Sequence, residues 1–502
     1  MPLAALSSAA LSLPLSSVLQ PEVVSHHQVL SENQRLKERI SELQSHLDTT
    51  RSLTHRRSNR ERMAAAMDAD AAVDSDAAPE PSDPLGSSAP GAYASTEFTK
   101  ERFLATVPES TNGARQLLLT FTNGARLDFA LNWARHVQAI GLDGWFIGAT
   151  DSDALTHLLT EGIPTFRINT TLPEGEWGWG SPSFHALGPH KVHMVQQTLR
   201  WGFEVIVTDT DALVLRDPWA YMARWPDAGF LTTSDHLWNT TSDGGLEDHR
   251  GIHSAFNIGY MFFRKSALPL VEVWLESVLS NPVTKWDQGE FNALARQGWD
   301  PVNTKGLSDP RLFWSYKQRV IGGVLPLSLF CGGHNYFVSQ FPQRMGWKPY
   351  SIHTTFQYGG AHGKRHRLRE AMVWIDPPSY YDPSGGVLHY TPDVPEKLLR
   401  PSGGMTTAAH IRLVEHQLKQ LANGFALAQL LGRVLVLPPL ICGYDKYWGS
   451  LSEDGMIPGG PKFAAPIFHC PLDHVLEPYA LHLDVTGREC VAYASRHRTS
   501  RL

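Results

Sequence analysis

At 502 residues the chain has the length of roughly two to four domains and ample material for a core. Its 42% hydrophobic and 19% charged residues are ordinary for a globular protein. A net charge of −6 argues against general nucleic-acid binding, and four cysteines without a CxxC pair argue against a structural zinc site.

From the N-terminus, residues 1–21 carry no charge and mix Ser and Pro, and no basic residue precedes them. Residues 1–28 therefore read as a poor signal peptide and a weak membrane-anchor candidate. In "VLSENQRLKERISELQSHL" (29–47), Val29, Leu36 and Leu43 fall seven apart, with Ile40 and Leu47 four further on. That spacing predicts a short stem helix over 29–50, either dimerising as a coiled coil or exposed as a single amphipathic helix. The basic run 51–62 and the Ala-, Asp-, Pro- and Ser-rich stretch 67–90 make 51–97 a linker that cannot bury much.

From residue 98 the pattern becomes strand, helix, strand. "RQLLLTFTNG" (115–124) predicts a strand and a turn, "RLDFALNWARHVQAIG" (126–141) a helix stopped by Gly141, and "GWFIGATD" (144–151) the next strand. "ALTHLLTEG" predicts a helix and "PTFRI" a third strand. Repeated βα units imply an α/β fold with a mostly parallel sheet, whose ligands gather at the carboxyl ends of the strands. Thr120, Asn123, Asp151, Asp209 and Asp211 all end or follow predicted strands and so share one edge. After "PPSYYDPSGG" (377–386) a long helical pattern (410–432) and the strand "RVLVLPPL" (433–440) predict a smaller C-terminal α/β unit over 387–502, with an irregular tail.

The stretch "VIVTDTDALVLRDP" (205–218) joins a buried-looking strand to two acids, Asp209 and Asp211. Residues two apart on an extended strand project to one side, so two carboxylates would converge beyond its end. Such a pair either caps a turn or holds a hard cation, Mg²⁺ or Mn²⁺, with coordination positions left for phosphates. Asp217, before Pro218, reads as a helix N-cap with Pro at the first helical position. Fifteen Trp supply either core or platforms for sugar rings. Two N-glycosylation sequons, at Asn169 and Asn239, matter only in a secretory chain.

Four segments in order, "HKVHMVQQTLRWGFEVIVTDTDALVLRDP" (190–218), "FNIGYMFFR" (256–264), "WDQGEFNALAR" (286–296) and "HTTFQYGGAHGKRHRLREA" (353–371), resemble glycosyltransferase family 77. More narrowly, they are similar to the arabinosyltransferases that extend arabinose chains on hydroxyproline-rich glycoproteins such as extensin. The resemblance covers most of residues 115–475, including "LLGRVLVLPPLICGYDKYW" (430–448). It implies a GT-A catalytic domain over 98–386, a UDP-sugar donor, a divalent metal held through DxD, and retention of anomeric configuration.

On that resemblance Asp209, Asp211 and His353 are the metal ligands, with Mn²⁺ or Mg²⁺ between them, and Asp209 also neighbours the donor. Lys191 and the "GAHGKRHRLRE" run (360–370), read as a flexible basic loop with Lys364 and Arg365, would reach the diphosphate. Thr120, Asn123 and Asp151 would hold the nucleoside. Asn257, placed before a strand, would contact donor or acceptor. Asp287 and Gln288 would stand at the reaction centre, where a retaining transfer needs a group near the anomeric carbon. Each of these has a plainer reading as a cap, turn or surface residue. A Cys442–Cys470 disulfide is a further expectation.

The resemblance further implies UDP-β-L-arabinofuranose as donor, an arabinosylated hydroxyproline as acceptor, and a Golgi-lumenal enzyme of type II topology, although the N-terminus offers only a weak anchor. The chain also ends earlier than the family pattern suggests. A xylosyl- or galactosyltransferase of the same fold, or a catalytically silent scaffold docking through 29–47, are the alternatives.

Overall fold

The computed structural model describes residues 96–110, 113–170, 172, 175, 180–299, 301–444, 468–477 and 491–492. The stem, the anchor candidate and the linker up to residue 95 lie outside the described residues. The chain divides into two units, Met1–Ser88 and Ala89–Leu502, and everything below concerns the second.

Among the described residues, the strands up to residue 324 are β1 Arg115–Thr122, β2 Trp145–Ala149, β3 Thr165–Arg167, β4 Phe203–Thr208, β5 Ala212–Val214, β6 Phe230–Ser234, β7 Phe256–Phe263, β8 Phe313–Ser315 and β9 Val320–Val324. Eight of them form one sheet in the order β3-β2-β1-β4-β7-β6-β9-β8. Pairings from β3 through β4 are parallel, and β7 runs antiparallel to both β4 and β6. The helices Leu127–Ala139 and Ser152–Thr160 make the crossovers between β1, β2 and β3, since parallel neighbours cannot be joined by a tight turn. This is the α/β, Rossmann-like sheet expected of a GT-A transferase.

Because side chains alternate across a strand, β1 feeds two cores. Leu117 and Leu119 face one with Val205, Val207 and the helices Gly188–Arg200, Leu268–Ser280 and Asp287–Ala295. Leu118 faces the other with Ile206, Trp133 and Tyr260. Each such side chain, fully buried, contributes about 2 kcal/mol of transfer free energy. The sheet is covered on both faces, so the middles of its central strands are apolar, as in Leu117–Leu119 and Val205–Val207.

A second, three-stranded sheet sits across those ends. β10 (Phe330–Gly332) pairs in parallel with β11 (Ser351–His353), and β11 pairs antiparallel with β5. In the C-terminal part, β12 (Val387–Leu388), the helix Thr407–Leu431 and β13 (Val434–Leu437) form a βαβ unit, continued by β16 (Val491–Ala492). Thr406 caps the helix by accepting from the Ala409 amide at 3.2 Å, and Gly432 ends it at φ 63°. β14 (Leu440–Cys442) and β15 (Phe468–Cys470) pair antiparallel and are joined by the expected Cys442–Cys470 disulfide.

Candidate active site

The two acids converge by a different route from the one the strand pattern suggested. β4 ends at Thr208 and β5 begins at Ala212, so Asp209, Thr210 and Asp211 form the connecting turn. The Ala212 amide donates back to the Asp209 carbonyl at 3.0 Å, and the Asp209 amide donates to the Gly259 carbonyl of β7 at 2.9 Å. The turn, rather than the strand's alternation, brings both carboxylates to one side. His353 arrives from β11, whose last residue pairs with Ala212, directly beside Asp211.

Oxygens of Asp209 and Asp211 and a ring nitrogen of His353 all lie within 4.8 Å of one another. Lys191 Nζ donates to Asp209 Oδ1 at 2.7 Å, and Lys364 Nζ to Asp211 Oδ2 at 2.5 Å. Thr354 Oγ1 also donates to Asp211 Oδ2, at 2.8 Å. That leaves Asp209 Oδ2 and Asp211 Oδ1 facing His353 Nε2 at 3.8 and 3.7 Å. Two carboxylate oxygens and an imidazole nitrogen suit Mn²⁺ or Mg²⁺ by donor type, and His353 Nε2 stands close enough to each carboxylate to share one ion with it, so these residues fit the metal the resemblance implies. Burial alone would raise the Asp211 carboxyl, but the Lys364 ammonium and His353 outweigh it and hold it ionised, well below the usual carboxylate range.

One short piece of β7, Asn257 to Gly259, organises the surroundings. Lys191, fourth in the helix Gly188–Arg200, is buried and donates to the Ile258 carbonyl at 2.7 Å. The Ile258 amide donates to Gln288 Oε1 at 3.4 Å. At Gly259 a Cβ would lie 2.6 Å from His353 Nδ1 and 2.8 Å from Nε2, so the glycine is what admits the imidazole. Asn257 belongs to β7 rather than preceding it, where the β6–β7 register shifts.

Asn257 Nδ2 donates to Asp235 Oδ1 at 2.9 Å and Gln288 Nε2 to Asp235 Oδ2 at 3.1 Å. Asp235 is a site residue that the sequence reading missed. Its signal was present, an acid directly after the strand-forming run "FLTTS" (230–234). Burial raises its pKa, partly offset by the Asn257 bond, the His353 charge and the Gln288 bond. Asp287 opens the helix Asp287–Ala295, its Oδ1 accepting from the Gln288 amide at 2.9 Å. It packs on Gly188, where a Cβ would fall 2.8 Å from its own. Its pKa is raised by burial and by Asp209, against the Lys191 charge that lowers it.

The remaining candidates stand apart from this cluster. Asp151 Oδ2 accepts from the Gly124 amide and its Oδ1 from the Ala154 amide, both at 2.8 Å, which caps the helix Ser152–Thr160. Asn123 Oδ1 accepts from the Arg126 amide at 3.1 Å and its Nδ2 donates to the Gly175 carbonyl at 2.6 Å. These two frame the carboxyl ends of β1 and β2. Thr120 is fully buried and donates to the Thr208 carbonyl at 2.9 Å, a rung between β1 and β4. The "GAHGKRHRLRE" run is the helix Gly360–Glu370 rather than a flexible loop. Its left-handed glycines, Gly359 and Gly360, lie at the start and do not break it. Within it Arg365 pairs with Asp128, and Arg367 and Arg369 are buried against Asp473 and Asp376. Only Lys364 of the four reaches the acid pair.

Residues 140–368 match the nucleotide-diphospho-sugar transferase family. Arabinosyltransferase XEG113 of Arabidopsis thaliana is 39% identical over 383 residues, which make up 76% of this chain and 57% of that protein. The chain therefore spans 57% of the length of the curated relative it matches. Among solved structures, the galactosyltransferase LgtC in complex with donor and acceptor sugar analogs is 13% identical with a TM-score of 0.30, covering 53% of this chain and 98% of that one. Mouse xyloside xylosyltransferase 1 is 12% identical with a TM-score of 0.28, covering 48% and 98%. Residues 140–368 are thus similar to a nucleotide-diphospho-sugar transferase domain, and along 76% of its length the chain is similar to an arabinosyltransferase.

Proposed function

We propose that this chain is a metal-dependent, retaining glycosyltransferase that moves L-arabinofuranose from UDP-β-L-arabinofuranose to arabinosylated hydroxyproline of extensin-like glycoproteins. The observation that carries the reading is the convergence of Asp209, Asp211 and His353 inside a matched nucleotide-sugar transferase domain. The choice of sugar rests on the similarity to the Arabidopsis arabinosyltransferase.

In the proposed reaction the bond from the anomeric carbon to the diphosphate oxygen breaks and one from that carbon to the acceptor hydroxyl oxygen forms, on the same face. When bound to Asp209, Asp211 and His353, a divalent cation neutralises charge on the leaving diphosphate. Lys364 and Lys191, now on the two carboxylates, supply further positive charge at the same place. The anomeric carbon becomes cationic, and Asp287 is the carboxylate we assign to face it, as nucleophile or as electrostatic support. Asp235, fixed by Asn257 and Gln288, is the second carboxylate we assign to the donor sugar. The acceptor proton leaves to the departing diphosphate oxygen or to one of these carboxylates.

The compartment we propose is the Golgi lumen. Among the described residues no helix is long and apolar enough to cross a membrane. The test of the substrate assignment is transfer to a synthetic arabinosylated hydroxyproline peptide from UDP-arabinofuranose, UDP-xylose and UDP-galactose, with the linkage read by NMR. An arabinofuranosyl product of retained configuration supports the assignment. Transfer of xylose or galactose instead overturns it in favour of the same fold with another donor.

A further inference from the structure

The helix Gly360–Glu370 that delivers Lys364 to Asp211 is held at both ends by a distant piece of the chain. Asp473 Oδ2 accepts from the Tyr358 amide, just before the helix, at 2.7 Å. Glu370 Oε1, at its last residue, accepts from the Leu472 amide at 2.8 Å. Between them Arg367 forks onto Asp473, with Nε to Oδ1 at 3.1 Å and Nη2 to Oδ2 at 3.0 Å, and both side chains are 1% exposed. Arg367 Nη2 also donates to the Phe356 carbonyl at 3.0 Å. The fit is tight. A Cβ at Gly363 would run into the Tyr358 carbonyl, 2.7 Å from its carbon.

The holding segment is itself anchored. Cys470, two residues before Leu472, is bonded to Cys442. The β14 strand that carries Cys442 is fixed to the helix Thr407–Leu431, where Gln417 donates to the Ile441 carbonyl and accepts from its amide, both at 2.8 Å. A continuous set of contacts therefore runs from the C-terminal βαβ unit, through the disulfide and Asp473, to the helix that carries Lys364.

We propose that Asp473 is a positioning residue for Lys364, and that the Cys442–Cys470 disulfide sets how tightly the protein binds a nucleoside diphosphate by holding Asp473 in place. The C-terminal unit then forms part of the donor site rather than an appended module. This inference rests on the transferase reading, because it concerns the diphosphate that Lys364 would meet. Buried ion pairs of this kind are costly to break one side at a time, since the partner's charge is left without compensation. Neutralising Asp473 frees Arg367, Tyr358 and the helix start together, and so moves Lys364 without touching it.

The test is a double-mutant cycle on UDP binding, measured by calorimetry with Mn²⁺ on the full chain. The four proteins are wild type, Lys364→Ala, Asp473→Asn and the double variant, each checked by thermal melting. Asp473→Asn is expected to weaken UDP about tenfold in the wild-type background and less than about twofold once Lys364 is gone. It should raise KM for donor more than it lowers kcat. A purely structural role for Asp473 would give the same fold-loss in both backgrounds, and that result, or no loss at all, overturns the inference. If Asp473→Asn is recovered only as aggregate, Cys470→Ser enters the same cycle and decides by the same criterion. Failure of the wild type to bind UDP with Mn²⁺ would instead overturn the transferase reading itself.

Discussion

Gly259→Ala tests the site without touching a ligand. The added Cβ would lie 2.6 Å from His353 Nδ1 and 2.8 Å from Nε2, where non-bonded heavy atoms settle at about 3.5 Å or more. The imidazole must therefore retreat by about 1 Å. Its Nε2 now stands 3.7 and 3.8 Å from the Asp211 and Asp209 oxygens. A cation with ligands at about 2.1 Å can bridge only atoms within about 4.2 Å of each other. Shifted by that much, Nε2 no longer stands where an ion held by both carboxylates would need it. Disturbing the support of a ligand typically weakens metal binding about 10- to 100-fold, and overpacking costs about 1–3 kcal/mol of stability. The assay is Mn²⁺ titration of UDP release at saturating donor, run on Gly259→Ala, His353→Ala and both together. The half-saturating Mn²⁺ concentration should rise by a similar factor in all three, because the glycine acts only through the imidazole. Wild-type Mn²⁺ dependence in Gly259→Ala, or a further loss when it is added to His353→Ala, would refute the reasoning.

Three other outcomes are expected. Asp211→Ala removes a buried carboxylate that meets Lys364, Thr354 and His353, and should cost on the order of 10³-fold in rate if the charge it anchors is worth about 4 kcal/mol. Stopped-time UDP release measures this. Asp235→Asn places an amide against the amides of Asn257 and Gln288. It should lower kcat by on the order of 10²-fold while leaving the half-saturating Mn²⁺ concentration unchanged, which separates the role of Asp235 from that of the metal ligands. Glu247 is fully buried and burial pushes it up to about 7, although it accepts from the Thr240 hydroxyl and the Leu327 and Thr240 amides. Between the unfolded carboxyl's ordinary value near about 4.3 and that raised value the folded chain binds the extra proton, so stability falls as pH rises through this window and is level on either side of it. The loss is on the order of 3 kcal/mol, and Glu247→Gln should flatten it in urea unfolding at about pH 4.5 and pH 8. Equal slopes for both proteins would mean that Glu247 does not titrate there.

What the sequence made legible was local. The apolar runs of β1, β2 and β4 and the helical periods between them carry their own signal, and the carboxyl-edge rule then gathers Asp209, Asp211 and Asp151 without any coordinates. Asp217 shows how such reading slips by one residue. Its Oδ1 does cap the first turn, accepting from the Trp219 amide at 2.9 Å, but the helix begins at Trp219 with Pro218 before it. The helix Gly360–Glu370 reads as a loop because two glycines and six basic or histidine side chains hide its period, and it is held by Asp473, 106 residues beyond Arg367. Pairing of β5 with β11 is equally non-local, so apart from the family resemblance no local pattern announces that His353 meets Asp211. Asp235 was readable from its strand but became notable only once Asn257 and Gln288 were seen to converge on it.

The most direct test of the central claim is release of UDP from a panel of UDP-sugars by the full chain, with Mn²⁺ and with EDTA, beside Asp211→Ala. Turnover of a pentose donor that needs the metal and is lost in the variant is the result expected. Turnover unchanged by EDTA, or none from any donor with arabinosylated peptide present, would contradict it.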